Sequence, residues 1–111
     1  MIKKIEHIGI AVKSLQNSND LFKKLFGKDH YKVESVESEG VSTSFFMLGE
    51  TKIELLEATN PESAIAKFID KKGEGIHHIA FEVEDIKAEM NRLLADGFVL
   101  LNAEPKVGAD H

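Results

Sequence analysis

The first half of the chain alternates between strand-like and helix-like patterns of apolar side chains. Apolar residues occupy both faces of residues 5–12, which predicts a mostly buried strand. Leu21, Phe22, Leu25 and Phe26 recur at helical spacing, with polar cap residues before them and Gly27 after them, which predicts a short amphipathic helix. Turn residues at Glu39-Gly40 and Gly49-Glu50 separate three further predicted strands, at 31–36, 41–48 and 52–56. The predicted order is βαβββ.

The second half begins as a repeat of the first. A shift of 71 residues places the strand 5–12 on 76–83 in register, with His7 on His78. A helical pattern follows, ends at Gly97 and leads into a strand predicted at 98–101. Between the repeats, Asn60-Pro61-Glu62-Ser63 has the cap residue and early proline of a helix start. The sequence therefore predicts an α+β fold of paired βαβββ modules in one domain, with module one at 1–59, a connector helix at 60–74 and module two at 75–111.

The second module is expected to be incomplete. The equivalent of Glu54 would stand at position 125, beyond the final residue, His111, so about two strands of a full repeat are missing. A truncated chain is one interpretation, and strands supplied by another chain through swapping are the other. An incomplete second sheet would by itself leave an open edge and an uncovered apolar face, and a homodimer is expected.

Two histidines occupy equivalent positions of the repeat. A pseudo-twofold relation would place their strands side by side, with the imidazoles of His7 and His78 facing one pocket. This arrangement indicates a metal site, whereas a single histidine in a buried strand is more often a hydrogen-bonded core residue. His77 is predicted to point to the opposite face, because strand side chains alternate, and to be structural.

Glu54 is a charged residue between apolar neighbours in the predicted strand 52–56. An exposed edge-strand carboxylate would explain it, and so would a metal ligand, since burial of an unpaired carboxylate is costly. A mixed site of imidazole and carboxylate ligands suits a divalent ion such as Co, Mn, Ni or Zn.

Composition narrows the classes of function. The 111 residues carry a net charge of −5, which argues against nucleic acid or anionic membranes as partners. The absence of cysteine excludes a thiolate metal site and a cysteine nucleophile. No apolar run approaches transmembrane length, and a cytoplasmic location is the expectation.

Several stretches carry a family resemblance: HIGIAV at residues 7–12, KIELLEATNPESAIAKFIDKKGEGIHHIAFEVEDI at 52–86 and EPKVGA at 104–109. The chain resembles the vicinal-oxygen-chelate superfamily, which includes glyoxalase I, and the long middle stretch resembles its methylmalonyl-CoA epimerase family. The resemblance implies that His7, Glu54 and His78 are three metal ligands and that the fourth, a glutamate, lies past His111. A glutamate proposed as the catalytic base in some epimerases aligns near Thr43, so that role does not carry over.

The same resemblance implies a reaction. Methylmalonyl-CoA, an acyl-CoA substrate, would be epimerised from 2R to 2S by abstraction of its α-proton, with one divalent metal stabilising the enolate. Glu54 is the candidate catalytic residue for proton transfer on one face, with Glu37 or Glu39 as alternatives. Lys52 and Lys106 are candidates for contacts with the coenzyme A tail, although each is also explained as a solvated surface lysine.

Three alternatives stay open. A glyoxalase-type lactoylglutathione lyase would use the same metal and a similar intermediate. A metal-free small-molecule-binding module of the superfamily would commonly lack the ligand residues, which this chain retains. The third alternative is a folding or assembly unit without activity.

Overall fold

The computed structural model describes residues 1–99, which form five strands and three α-helices. Their bounds are β1 Ile2–Ala11, α1 Leu15–Phe26, β2 Lys32–Val36, β3 Val41–Leu48, β4 Thr51–Ala58, α2 Ala64–Lys72, β5 Gly75–Val83 and α3 Ile86–Ala95. A single 3₁₀ turn at Glu37–Glu39 joins β2 to β3 and ends at Gly40, whose positive φ of 64° favours glycine.

The strands form one sheet in the order β2-β3-β4-β1-β5. β1 lies between β4, to which it is parallel, and β5, to which it is antiparallel. The first strand of the predicted second module therefore joins the sheet of the first, beside the strand that it repeats. This pairing confirms the side-by-side arrangement that the repeat predicted.

Local signals explain where the helices begin and end. The side chains of Ser14, Ser63 and Asp85 each accept a hydrogen bond from a backbone N–H of the first turn that follows. At the end of α3, Phe98 N donates to Leu93 O at 2.9 Å around Gly97, whose φ is 92°.

Apolar side chains cover the two faces of the sheet separately. On one face, α1 packs Phe22 and Phe26 against Phe46, Ile53 and Leu55. On the other, α2 packs Ile65 against Val41 and Leu56. Because side chains alternate along β4, Glu54 lies on the α2 face between residues that point to α1.

Two predictions about strands are corrected. β1 is buried only towards its end: Ile2 and Ile5 are 46% and 38% exposed. The strand predicted to open at Phe98 is wrong for its first two residues, since the Phe98 amide completes the turn that ends α3 and Val99 is 87% exposed.

Some predictions fall outside the described residues. They are the rest of the strand predicted at 98–101, the stretch EPKVGA and Lys106. Within residues 1–99, no helix has both the length and the apolar character needed to cross a membrane.

Candidate metal centre

Sheet register brings the predicted ligands together around Gly9. Gly9 on β1 pairs with Glu54 on β4 and with His78 on β5. His7 precedes Gly9 by two residues and so lies on the same face of the sheet. The candidate site is therefore built on three adjacent strands rather than on loops.

The three side chains form one cluster of potential ligands. The ligand atoms of His7, Glu54 and His78 all lie within 4.8 Å of one another. His7 Nε2 lies 3.0 Å from His78 Nε2, and His7 Nδ1 lies 3.4 Å from Glu54 Oε2. Glu54 is only 6% exposed, so the edge-strand explanation for this carboxylate is wrong. β4 is an interior strand, and Glu54 is buried beside two imidazoles.

Gly9 provides the space that the His78 ring occupies. A Cβ atom on Gly9 would lie 2.7 Å from each nitrogen of that ring and closer still to Cε1. Its backbone has no positive φ, so the absence of a side chain, and not conformational freedom, is what the site needs from Gly9.

The prediction that His77 points away from the site is wrong. His77 lines the same pocket as His78, and its Nδ1 lies 2.9 Å from His78 Nδ1. The register slips between Gly9 and Ile10, so His77 is the extra residue of a β-bulge and regular alternation fails there. Its ring also packs against Phe68 at a centroid distance of 5.0 Å.

Glu6 and Lys52 form a charged pair beside the histidines. Glu6 Oε1 accepts a hydrogen bond from His7 Nδ1, and Glu6 Oε2 lies 3.0 Å from Lys52 Nζ. Burial alone would raise the pKa of Glu6, but the hydrogen bonds from His7 and Lys52 outweigh it and hold that pKa below its usual value. Glu6 is therefore an anion at neutral pH.

His78 lies in surroundings that favour its neutral form. Burial lowers the pKa of His78, and the neighbouring rings of His7 and His77 lower it further. Neutral imidazole is the form that binds a metal ion.

These side chains open into a pocket of about 490 Å³ on the α2 face. Its wall beside the candidate ligands is largely apolar, with Val36, Val41, Leu56, Ala64 and Ile65. Thr43 and Glu39 add polar groups.

Of the two alternative acids predicted from the sequence, Glu39 lines the pocket, whereas Glu37 is not among its lining residues. Lys52 is also not a solvated surface lysine, since its side chain is 19% exposed and is paired with Glu6.

The donor set fits a divalent metal ion. Two imidazoles and one carboxylate are a ligand combination used by divalent transition metals.

The sequence analysis did not identify the roles of Gly9 and Glu6 in this site, and it placed His77 on the wrong face of the sheet. A repeated His-x-small pattern, His7-Ile8-Gly9 and His78-Ile79-Ala80, was the available signal for Gly9, whereas nothing in the sequence marks the slips in register.

Comparisons with known proteins agree with this geometry. The sequence profile of the Glyoxalase/Bleomycin resistance protein/Dioxygenase superfamily matches residues 6–111. The chain is 41% identical over 109 residues to the mitochondrial methylmalonyl-CoA epimerase of Dictyostelium discoideum, covering 97% of this chain and 66% of that protein. It is 40% identical over 111 residues to the ethylmalonyl-CoA/methylmalonyl-CoA epimerase of Cereibacter sphaeroides, covering 98% of this chain and 83% of that protein.

One solved structure shows the similarity in three dimensions. A methylmalonyl-CoA epimerase in complex with methylmalonyl-CoA and NH4+ superposes with a TM-score of 0.87 at 31% identity, covering 98% of this chain and 80% of that one. The chain thus spans between 66% and 83% of the length of these three relatives.

Proposed function

The chain belongs to the glyoxalase/bleomycin resistance protein/dioxygenase superfamily, in its methylmalonyl-CoA epimerase family, and from this premise we propose that its protein is an isomerase that epimerises methylmalonyl-CoA. The observation that carries the proposal is the cluster of His7, Glu54 and His78 on a sheet shared with a solved epimerase. The substrate is a small acyl-CoA, and the reaction exchanges the proton on the carbon between its carboxylate and its thioester.

His7, Glu54 and His78 are the proposed metal ligands. The proximity of their ligand atoms and the neutral state of His78 support this assignment. A divalent metal there, Co, Mn, Ni or Zn, would supply the Lewis acid that stabilises negative charge on the thioester oxygen as the α-proton leaves.

Proton transfer falls to the carboxylates that face the pocket. Thr43 lines the pocket where some family members carry a proposed base, and a hydroxyl is too weak a base for that role at neutral pH. Glu54 is the proposed catalytic residue on one face of the substrate, and Glu39, exposed at the rim, is the alternative. Epimerisation needs proton exchange on both faces of a planar intermediate.

The apolar wall gives the pocket its selectivity. Val41, Leu56 and Ile65 belong to the packed core between α2 and the sheet, so this wall is preformed. It is suited to a methyl group.

Three broader expectations belong to the same proposal. The division into modules at 1–59 and 75–111 joined by a connector is supported by the repeat. A homodimer is supported by the exposed apolar side chains of β5, Ile76, Ile79 and Phe81 at 59%, 47% and 52% exposure. Sedimentation over a range of concentrations tests the dimer, and cell fractionation tests the expected cytoplasmic location.

Two substrates offered to the same protein test the function. Full-length protein loaded with Co, Mn, Ni or Zn is incubated with a single epimer of methylmalonyl-CoA and, separately, with the glutathione hemithioacetal of methylglyoxal. Conversion of the first substrate alone is expected. Conversion of the hemithioacetal alone would establish a lactoylglutathione lyase instead, and binding without conversion of either would establish a small-molecule-binding module.

A further inference from the structure

Two irregularities in the β1–β5 ladder fall on residues that precede candidate ligands. On β1, Glu6 is left out of the pairing, because residues 5 and 7 pair with consecutive residues of β5. On β5, His77 is left out, because residues 76 and 78 pair with consecutive residues of β1. Glu6 and His77 are 71 residues apart, as His7 and His78 are. The repeat therefore carries a bulge at the same position in both strands.

Each bulge turns a side chain towards its neighbouring histidine. In a regular strand, adjacent side chains point to opposite faces and do not meet. A bulge re-aims the extra residue, and here Glu6 reaches His7 Nδ1 while His77 Nδ1 lies 2.9 Å from His78 Nδ1. Both candidate ligands thus have their Nδ1 atom engaged by the residue before them.

The engaged Nδ1 atoms leave the Nε2 atoms facing each other. His7 Nε2 and His78 Nε2 lie 3.0 Å apart, although the two rings are almost perpendicular, with an interplanar angle of 89°. Histidine ligands of metals nearly always donate the proton of the second ring nitrogen to a partner, which fixes both the tautomer and the ring orientation.

The two partners are themselves held in place. Glu6 uses its second oxygen for Lys52, at 3.0 Å, and His77 packs edge-on against Phe68. Glu54 also approaches His7 Nδ1, but at 3.4 Å it lies beyond the usual N–H···O range of about 2.7–3.2 Å. Glu6 is therefore the acceptor for that proton.

We infer that the paired bulges make Glu6 and His77 positioning residues, which engage the Nδ1 atoms of His7 and His78 and so direct both Nε2 atoms into the proposed metal centre. The value of this arrangement rests on the proposed function, but the metal-free protein already has defined tautomers. Glu6 accepts the Nδ1 proton of His7, so His7 Nε2 accepts the hydrogen bond that His78 Nε2 donates. These tautomers can be measured without metal or substrate.

Long-range proton–nitrogen NMR of the imidazoles in the metal-free protein tests the inference. The wild type is expected to carry the His7 proton on Nδ1, facing Glu6, and the His78 proton on Nε2, because one of the two Nε2 atoms must donate across the 3.0 Å that separates them. Glu6→Ala should allow His7 to populate both tautomers. His77→Phe should do the same for His78, while the phenyl ring keeps the contact with Phe68. Glu6→Gln retains an oxygen acceptor and should keep His7 in the wild-type tautomer.

Cobalt affinity, measured by calorimetry, extends the test to the metal centre. Glu6→Ala and His77→Phe should each weaken Co²⁺ binding by about 10–100-fold, with an altered cobalt absorption spectrum. Glu50→Ala is the matched control for lost charge, since Glu50 is an exposed residue whose carboxylate lies 3.9 Å from Lys4 Nζ, and it should change neither readout.

A wild-type His7 with its proton on Nε2 would overturn the inference, and so would tautomers that both variants leave unchanged. A wild-type protein that has the expected tautomers but binds no Co²⁺ would contradict the proposed function and leave the positioning geometry intact. A variant that fails to fold, as judged by circular dichroism, is replaced by Lys52→Met. This substitution removes the ion pair that holds the Glu6 carboxylate and keeps Glu6 itself. If Lys52→Met leaves the His7 tautomer fully fixed as in the wild type and Co²⁺ affinity unchanged, the role assigned to Glu6 is contradicted.

Discussion

The Nε2 atoms of His7 and His78 lie 3.0 Å apart although 71 residues separate them in the chain. They meet because each histidine lies near the middle of one of two antiparallel neighbouring strands. Two imidazole nitrogens at this distance, beside the carboxylate of Glu54, form a set of donor atoms that suits a divalent cation.

Removal of one ligand histidine should abolish tight metal binding. His78→Ala is expected to weaken Co²⁺ binding by more than about 100-fold, since changes in the outer partners of ligands alone cost about 10–100-fold. In the wild type, free Co²⁺ at 100 times its Kd should stabilise the fold by about 2.7 kcal/mol, and this gain should vanish in the variant. His30→Ala is the control, since His30 packs against Phe46 on the α1 face. Equal Co²⁺ affinity in His78→Ala and His30→Ala would contradict the assignment.

A methyl group on Gly9 should displace the His78 ring. Gly9→Ala is expected to weaken Co²⁺ binding, because the new Cβ would occupy the position of the imidazole. Ala80→Gly is the matched control, since Ala80 pairs with His7 as Gly9 pairs with His78. Thermal unfolding of the metal-free proteins gives a second readout: Gly9→Ala should lower the Tm in the wild-type background and have little effect beside His78→Ala. The same loss in both backgrounds would mean that Gly9 is needed for another reason.

The α1 face should depend strongly on Phe46. Phe46 is fully buried and its ring lies 5.5 Å from that of Phe26. Phe46→Ala is therefore expected to lower the free energy of unfolding by about 3–5 kcal/mol, measured by urea denaturation. Leu25→Ala, at a residue 69% exposed, should change it by less than about 0.5 kcal/mol. Similar losses in the two variants would contradict the described packing.

Glu89 should make stability depend on pH in the acid range. The amino group of Met1 and then Arg92 lower the pKa of Glu89 below its ordinary value of 4.5. A carboxylate with a lowered pKa in the folded state contributes stability above its unfolded pKa and loses it as the pH falls through the folded pKa. Glu89→Gln should therefore have a lower Tm than the wild type at pH 7. This difference should shrink as the pH falls below 4.5, and a difference independent of pH would contradict the ionic origin.

Periodicity, caps and the internal repeat were sufficient to predict most of the fold. The strand at 41–48 and the helix ends at Gly27 and Gly97 match the structure, because they depend on local chemistry that the sequence displays. The grouping of His7, Glu54 and His78 could also be predicted, because the repeat pairs the histidines and Glu54 interrupts an apolar strand.

The parts that could not be predicted arise from register. The bulges at Glu6 and His77 depend on how two distant strands pair, and a residue that slips out of register leaves no mark on local periodicity. The exposure of Ile5 likewise depends on which elements cover the sheet, not on the alternation within β1.

The most direct test of the central claim is loss of the α-proton of methylmalonyl-CoA in deuterated water, followed by proton NMR. Full-length protein loaded with a divalent metal is predicted to exchange this proton rapidly, and the His78→Ala variant, treated identically, is predicted to exchange it no faster than buffer. Absence of exchange with Co, Mn, Ni and Zn alike, in wild-type protein shown to be folded, would contradict the assignment of this chain to methylmalonyl-CoA epimerisation.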